Sequence, residues 1–365
     1  MQQIAGQDDT LSFRGQLSAY THYNSGNELP LMGGARYIPS VNYGHRWNDR
    51  NLIDAEVSLN IFGNTAFRTF NSTDFSGKIK PYRAWLRYST HQFELRAGLQ
   101  KINFGSASMI RPLMWFDQID PRDPLKLTDG VWGLLARYYF LNNANIWVWG
   151  LYGNGNLKGW ETVQTEKSIP EFGGRIQVPL PKGETALSYH HRVADGNTLP
   201  DSLNAALRIP ENRIGFDAKF DMVLGWWIEA SWSSFKGVED FYRNQEIINV
   251  GADYTFGIGN GLMVAYEHLL ASADRTPFAF RNITTFSLLN ISYPVSMFDN
   301  LGAIVYYDWT SNRVYNFLTW QRDFRKISLY LMGYINPGDY YIPTQNYGEM
   351  LYAGSGIQIM LVFNH

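Results

Sequence analysis

Residues 93–100 read Phe93-Glu-Leu-Arg-Ala-Gly-Leu-Gln100. Apolar side chains occupy every second position, and polar residues or glycine fill the positions between them. Because successive side chains of a β-strand point to opposite faces, one face of such a strand is apolar and the other is polar. On a helix the same residues would be spread around the circumference and leave no apolar stripe. The stretch therefore predicts a strand with one face in lipid and the other in water.

The same alternation recurs along the chain. It is clear in Asp54-Ala-Glu-Val-Ser-Leu-Asn-Ile61 and again in Arg213-Ile-Gly-Phe-Asp-Ala-Lys-Phe220. Such segments indicate about eighteen strands, an even number, as bacterial single-chain barrels require. The sequence therefore predicts an all-β fold, in which residues 1–365 form a single transmembrane antiparallel β-barrel domain.

The connections between these segments are alternately short and long. The short ones are predicted at 48–51, 90–91, 142–144, 181–184, 223–225, 257–261, 296–300 and 323–326. The long ones are predicted at 24–34, 63–77, 103–129, 154–170, 195–210, 235–243, 271–280 and 336–350. Short periplasmic turns opposite long extracellular loops are typical of outer-membrane barrels.

Composition excludes several other classes of protein. The chain has 16% aromatic and 18% charged residues, and no run of residues approaches the roughly 18 consecutive apolar positions that a spanning helix needs. The absence of cysteine excludes a disulfide scaffold, and the net charge of −2 argues against nucleic acid as a partner. Because the start lacks a basic and apolar leader, we interpret the chain as the mature form of an exported protein. The alternative is a secreted, soluble all-β protein.

Aromatic residues cluster near the predicted strand ends, where two membrane girdles are expected. The pairs are Tyr43 and Trp47, Tyr138 and Phe140, Trp226 and Trp232, Tyr254 and Phe256, and Tyr307 and Trp309. The last alternating segment carries Phe363 close to the end of the chain. It is similar to the closing strand of outer-membrane barrels, although an ordinary strand would also fit.

Inward charges set the field that a permeating solute meets in a barrel. The basic residues predicted to line the pore are Arg83, Arg87, Arg96, Arg137, Arg175, Arg192, Arg213 and Lys219. The acidic ones are Asp54, Glu56, Glu229, Asp253, Glu267 and Asp308. A basic arc facing an acidic one would create a transverse field across the lumen. Alternatively, these charges pair with neighbours such as Glu94 and Asp217 and stiffen the wall, and both interpretations stay open.

Residues 103–129 form the most distinctive connection. They are too apolar for a free external loop, and their Asp-Pro pairs prevent helix or ladder pairing. By strand count this is the third external loop, and we expect it to constrict the lumen or to cap the barrel mouth. The candidate constriction residues are Arg111, Trp115, Phe116, Asp117, Asp120, Arg122 and Asp123. The three aspartates would face the basic arc.

A resemblance to known barrels lies in the same region. The segments Arg96-Ala-Gly-Leu-Gln100, Phe104-Gly105 and Phe116-Asp-Gln-Ile-Asp-Pro-Arg-Asp-Pro124 resemble a pattern of eighteen-strand outer-membrane porins of the alginate-export and related specific-channel families. The resemblance covers residues 96–124 by motif and the rest of the chain by architecture. It implies a monomeric channel with an arginine-lined path, which for some members selects anionic solutes. It places that path at Arg96, Arg137 and Arg175, and it leaves the solute open.

The sequence carries no recognisable catalytic motif, so we expect no enzyme, no metal and no cofactor. The favoured function is passive diffusion of small polar or anionic solutes through a charged, loop-constricted lumen in a Gram-negative outer membrane. The alternatives are a plugged barrel acting as a scaffold or as part of a secretion or uptake complex, and an enzyme built on a barrel wall. The expected partners are the lipid bilayer, lipopolysaccharide and small solutes or ions. Monomer, homo-oligomer and a membrane-complex partner stay open.

Overall fold

The computed structural model describes residues 8–26, 29–48, 50–68, 71–199, 206–238, 243–338 and 352–365. These residues form eighteen antiparallel strands. They are β1 (Asp8–Asn24), β2 (Leu31–Asn48), β3 (Asn51–Arg68), β4 (Asn71–Ser89), β5 (Phe93–Gln100), β6 (Val131–Tyr139), β7 (Asn145–Leu151), β8 (Glu171–Leu180), β9 (Gly183–Asp195), β10 (Arg208–Asp221), β11 (Gly225–Phe235), β12 (Asn244–Phe256), β13 (Leu262–Asp274), β14 (Ile283–Pro294), β15 (Asp299–Asp308), β16 (Arg313–Asp323), β17 (Ile327–Ile335) and β18 (Ser355–Asn364). The predicted strand number is confirmed.

The barrel closes between its first and last strands. Each strand pairs with its neighbours in sequence order, and β1 pairs with β18 from Gln16 opposite Asn364 to Asn24 opposite Gly356. Closure satisfies the backbone hydrogen bonds of both terminal strands, which would otherwise be open sheet edges. No helix in the described ranges is long and apolar enough to cross a membrane.

Apolar side chains cover the outside of the barrel. On β9, Leu187 and Tyr189 are exposed, whereas the alternate residues Ala186, Ser188 and His190 are buried. Exposed leucine, isoleucine and valine recur in the same way on strands around the ring. In water such a surface would be strongly unfavourable, but it matches the apolar outer band of a transmembrane barrel.

The connections largely follow the predicted alternation. The eight predicted short turns all occur, and the strand bounds leave two to five residues in each of them. The long loop expected at 63–77 is wrong, because β3 continues to Arg68 and β4 starts at Asn71. Backbone pairing persists there from Gly63 opposite Gly77 outward. Residues 309–312 form a second tight turn on the long-loop side. Most of the loop predicted at 336–350, and residues 27–28 of the one at 24–34, lie outside the described residues.

Candidate functional site: a loop-divided barrel interior

The connection between β5 and β6, residues 101–130, folds into the barrel and is called the inward loop here. Its first half crosses the interior to strands far from its own. The Ser106 hydroxyl donates to Asp217 on β10 over 2.9 Å, and the Trp115 indole N–H donates to Ser231 on β11 over 3.0 Å. The loop therefore lies against the inner wall of the barrel.

Glu267 on β13 holds the far end of the inward loop. Its fully buried carboxylate accepts the backbone N–H groups of Ser108, Met109 and Ile110 over 2.9, 3.0 and 2.7 Å. The Asn249 amide also donates to it, over 3.1 Å. No cation of the described chain forms an ion pair with Glu267, so these donors compensate its buried charge.

Glu229 on β11 forms a second anchor. Its carboxylate accepts the backbone N–H groups of Ala107 and Leu113, over 2.8 and 2.6 Å. Gly105 passes so close that an added Cβ would overlap this carboxylate, and its φ of +109° is one that other residues rarely adopt. The chain can therefore turn beside Glu229 only at a glycine.

Apolar packing joins the inward loop to two parts of the wall. Met109 and Ile110 enter a cluster on β12 to β17 with Ile247, Leu269, Phe286, Leu288, Ile304, Tyr306, Tyr315, Phe317, Met332 and Tyr334. Ile102, Phe104, Leu113, Trp115 and Phe116 pack on Val131, Leu135, Trp149 and Leu151 of β6 and β7. Burial of this many large side chains fixes the loop in place.

The connection between β7 and β8, residues 152–170, packs on the inward loop and is called the covering loop here. The Gln118 amide donates to the Leu157 carbonyl over 2.7 Å, and the Trp160 indole donates to the Arg111 carbonyl over 2.8 Å. The two loops therefore form one body that packs against the inner wall from β6 to β17.

A buried ion network fixes the covering loop to the wall. Glu161 pairs with Arg192 and Arg213 over 3.3 and 2.9 Å, and both arginines also bind Glu211. Lys158, Thr165, Glu171 and His190 belong to the same layer. In the described ranges no group of three or more His, Cys, Asp or Glu side chains is placed to hold a metal ion.

Open space remains between the inward loop and the part of the wall that the two loops do not cover. A cavity of about 630 Å³ lies between residues 118–129 of the loop and the wall formed by β1 to β4 and β18. The wall contributes Ser18, Tyr20, Arg36, Asn60, Phe62, Asn64, Lys80 and Gln358, and the loop contributes Gln118, Asp120, Arg122, Asp123 and Asp129. Tyr352 also lines it. The cavity lining therefore mixes polar and apolar groups, with charges on both faces.

Two pairs of opposite charges in the cavity neutralise each other. Lys80 on β4 binds Asp129 at the end of the inward loop over 2.6 Å. Arg122 and Asp120 pair over 2.6 Å within the loop itself, and the Arg122 guanidinium also lies 5.1 Å from the centre of the Tyr352 ring. The first pair connects the wall to the loop, and the second lies within the loop.

Arg36 and Asp123 carry the other two cavity charges. The Arg36 guanidinium lies 5.4 Å from the centre of the Phe62 ring. Asp123 accepts the backbone N–H groups of Leu125 and Leu127 over 2.9 and 3.3 Å. Burial raises the pKa of Asp123, and these two N–H donors and the more distant Arg36 partly oppose the rise.

Three of the predicted arginines gather nearer the short-turn end of the barrel. Arg87, Arg96 and Arg137 surround Glu94 at 3.5, 3.0 and 3.5 Å, and Arg87 also binds Asp54 over 2.7 Å. The guanidinium carbon of Arg96 lies 4.8 Å from the centre of the Trp85 ring, and that of Arg137 lies 3.8 Å from the centre of the Trp147 ring. Stacking of this kind holds arginine side chains without removing their charge.

Exposure divides the predicted basic residues into two groups. The side chains of Arg87, Arg96 and Arg137 keep 26%, 15% and 15% of their area exposed. Those of Arg175, Arg192 and Arg213 keep 3%, 1% and 4%, because the two loops cover them. Asp217 holds Arg175 over 2.6 Å. The first group is partly exposed, whereas the second is covered by the two loops.

The remaining predicted wall residues lie at various depths. Arg83 is buried and donates to a carbonyl of the inward loop over 3.0 Å. Glu56 lies 3.3 Å from two serine hydroxyls of the wall, and Lys219 pairs with an exposed aspartate at 3.7 Å. Asp253 is half-buried near a short turn. Asp308 is buried at the opposite rim, where it caps the turn at 309–312.

The acidic residues of the inward loop bind mainly to the loop itself. Asp117 lies 3.6 Å from Arg111, and burial raises its pKa while Arg111 opposes the rise. Asp120 binds Arg122. The aspartates were expected to face the basic arc, but within the described chain none of them forms an ion pair with it. Asp117 and Asp120 pair with arginines of the loop itself, and Asp123 accepts backbone N–H groups.

The sequence pattern does not predict Arg36 and Lys80 as lining residues. Counting back from Arg87 in steps of two places Lys80 on the outer face. A β-bulge intervenes, since Ser58 lies opposite Arg83 and Leu59 opposite Pro81, so that one extra residue shifts the alternation. The signal available was Pro81, because proline inside a strand pattern marks a bulge or an edge.

No protein-family model matches the chain, and neither does any curated protein. Among solved structures the chain is similar to OccAB4 of Acinetobacter baumannii (TM-score 0.58, 10% identity, 98% of each chain) and to Salmonella typhi OmpF in complex with daunomycin (TM-score 0.54, 8% identity, 97% of each chain). It is also similar to an anion-selective porin from Comamonas acidovorans (TM-score 0.53, 12% identity), over 98% of this chain and all of that one. The chain therefore has the β-barrel fold of outer-membrane porins.

Proposed function

We propose that this chain is an outer-membrane channel through which small polar solutes diffuse. The observation that carries the proposal is the cavity of about 630 Å³ between the inward loop and the wall of β1 to β4 and β18. Its volume lies within the range of about 300–1,000 Å³ that is usual for sites of small organic molecules. The charged side chains on both of its faces suit hydrated solutes rather than lipids.

The path continues from the cavity toward the short turns along β3 to β6. Asn60 lines the cavity, and Glu56 and Asp54 follow it on the inward face of β3. Arg87, Arg96 and Glu94 lie beside this track with part of their surface exposed. A solute that passes the inward loop would therefore meet charged groups of both signs along one side of the barrel.

The balance of charge predicts weak overall selectivity. The cavity has three cations, Arg36, Lys80 and Arg122, and three acids, Asp120, Asp123 and Asp129. Such opposed charges orient dipolar solutes across the passage more than they exclude either sign of ion. Preference for anions would have to come from the partly exposed arginines near the short turns, Arg87, Arg96 and Arg137.

Cysteine accessibility in a planar bilayer tests both the conductance and the path. The native chain has no cysteine, so Asn64→Cys introduces a single thiol in the cavity. We expect stepwise conductance from the purified protein, and a lower conductance of Asn64→Cys after a cationic thiosulfonate reagent is added. Ser231→Cys is the matched control, because Ser231 is buried beneath Trp115 and the reagent should not reach it.

A second function is favoured by the filling of the interior. The inward and covering loops pack against the wall from β6 to β17, as expected if the barrel were a closed scaffold for partner proteins. A barrel that inserts into bilayers yet conducts no current, and that co-purifies with a stoichiometric partner, would favour the scaffold and contradict the channel.

A further inference from the structure

The cavity presents opposite charges on its two faces. Arg36 extends from the wall strand β2, and Asp123 belongs to the inward loop. We infer that the cavity is a binding site for zwitterionic amino compounds, namely amino acids and short peptides. The solute carboxylate would meet Arg36 and its ammonium group would meet Asp123. This inference rests on the proposed channel and assigns a class of solute to it.

Arg36 is available to an incoming carboxylate. It is the cavity cation for which the described chain provides no carboxylate within ion-pair distance, whereas Lys80 and Arg122 are each paired at 2.6 Å. The Phe62 ring lies 5.4 Å from its guanidinium and limits its conformations. An arginine held in this way can bind a carboxylate through two parallel hydrogen bonds.

Asp123 is the matching acid on the loop face. Within the described ranges no lysine, arginine or histidine forms an ion pair with it, although Arg36 is near enough to influence its pKa. The N–H groups of Leu125 and Leu127 fix the orientation of its carboxylate. A carboxylate with spare acceptor sites, partly removed from water, favours an ammonium group as its ligand.

Asn60 provides a third, independent contact. Its side chain lines the cavity and is 4% exposed, and its Oδ1 atom has no hydrogen-bond partner in the described chain. A buried acceptor without a partner is costly, and a ligand N–H would remove that cost. Amino acids and peptides supply such a donor, whereas simple carboxylates do not.

Because Arg36 and Asp123 lie on opposite faces of the cavity, a solute that binds both must carry a negative and a positive group. An anion satisfies Arg36 but brings negative charge toward Asp123, and a cation does the opposite. A zwitterion satisfies both groups without changing the net charge of the cavity. The volume of about 630 Å³ leaves room for a short peptide together with water.

Liposome-swelling rates for one dipeptide and three of its derivatives test the inference. The probes are alanyl-alanine, its anionic N-acetyl derivative, its cationic C-terminal amide and the neutral compound that carries both modifications. We expect the zwitterion to enter about fivefold faster than either singly charged form, the ratio expected for one partly exposed charge pair. Entry of the zwitterion no faster than the neutral compound and both charged forms would overturn the inference.

Two variants assign the preference to its residues. Arg36→Met should abolish the zwitterion advantage and raise the relative rate of the cationic amide. Asp123→Asn should abolish it as well and raise the relative rate of the N-acetyl anion. Arg325→Met and Asp221→Asn are controls, because both residues are exposed at the short-turn end. A preference that persists in both variants would contradict the site.

The same experiment separates this inference from the proposed function. If no probe enters the liposomes although the protein has inserted, the channel itself fails. If all four probes enter at similar rates, the channel stands and the zwitterion site is wrong. Faster entry of the N-acetyl anion than of all the others would replace the site by an anion path.

Discussion

Ile110 and Glu267 lie 157 residues apart in the chain and are joined by a hydrogen bond of 2.7 Å from the Ile110 N–H to the Glu267 carboxylate. With the N–H groups of Ser108 and Met109, this contact makes a wall carboxylate the end point of a loop that begins across the barrel. An acid predicted to line a pore thus stabilises the loop that divides the interior. The position of the open passage follows from that anchor.

Removing the charge of this anchor should loosen the inward loop. In Glu267→Gln only one acceptor oxygen remains for three N–H groups, and hydrogen bonds to a charged group contribute about 1.5–3 kcal/mol. We therefore expect a loss of about 2 kcal/mol in unfolding free energy and larger current fluctuations in single-channel recordings. Glu184→Gln, at an exposed position beside a short turn, should change neither. If Glu267→Gln changed neither the current fluctuations nor the unfolding free energy, the carboxylate would not be what holds the loop.

The barrel could be predicted from the sequence because its cause is local. Alternation such as that of Phe93 to Gln100 follows from the two environments of each strand, so it appears in every segment of ten or so residues. The inward direction of Arg96, Arg175 and Glu267 follows from the same pattern.

The exposure of those inward charges could not be predicted, because it depends on contacts between distant parts of the chain. Arg192 and Arg213 are covered by loops from elsewhere in the chain, and Glu161 in the covering loop pairs with both of them. No spacing in the sequence records that pairing. The bulge opposite Ser58 similarly reverses the face of Lys80 through a single extra residue. Long-range packing therefore decided where the candidate site lies.

A glycine in the covering loop should be essential for the packing of the two loops. Gly159 has a φ of +48°, and an added Cβ would overlap the Met114 carbonyl oxygen. Gly159→Ala should lower the unfolding free energy by about 1–3 kcal/mol, the usual cost of such backbone strain. Gly155→Ala is the matched control, since its nearest neighbour atom would be 3.7 Å away. Equal melting temperatures of the two variants would be inconsistent with this packing.

Glu94 should limit the anion preference of the channel. It lies within 3.5 Å of Arg87, Arg96 and Arg137, so Glu94→Gln leaves three partly exposed cations with less compensation. We expect the ratio of anion to cation permeability to rise about two- to fivefold, as for a partly exposed charge pair. The reversal potential in a salt gradient measures this ratio. Arg137→Met should shift it the other way, and an unchanged potential in both variants would place the ion path elsewhere.

The raised pKa of Asp123 predicts a selectivity that changes with pH. Burial disfavours its charged form, so it takes up a proton at a higher pH than the value of about 3.9 usual for aspartate. As pH falls through this raised pKa, the cavity loses a negative charge while Arg36 keeps its positive one. The reversal potential should therefore move toward anion preference before ordinary carboxylates titrate.

The same shift has a consequence for stability. Because ionisation of Asp123 costs more in the folded protein than in the unfolded chain, its contribution to stability is present at low pH and is lost as pH rises through the raised pKa. Asp123→Asn should remove both this loss and the pH-dependent step in reversal potential, leaving the anion-preferring value at all pH. Asp221→Asn, at an exposed site, should retain the step. A step that survives in Asp123→Asn would assign the titration to another group.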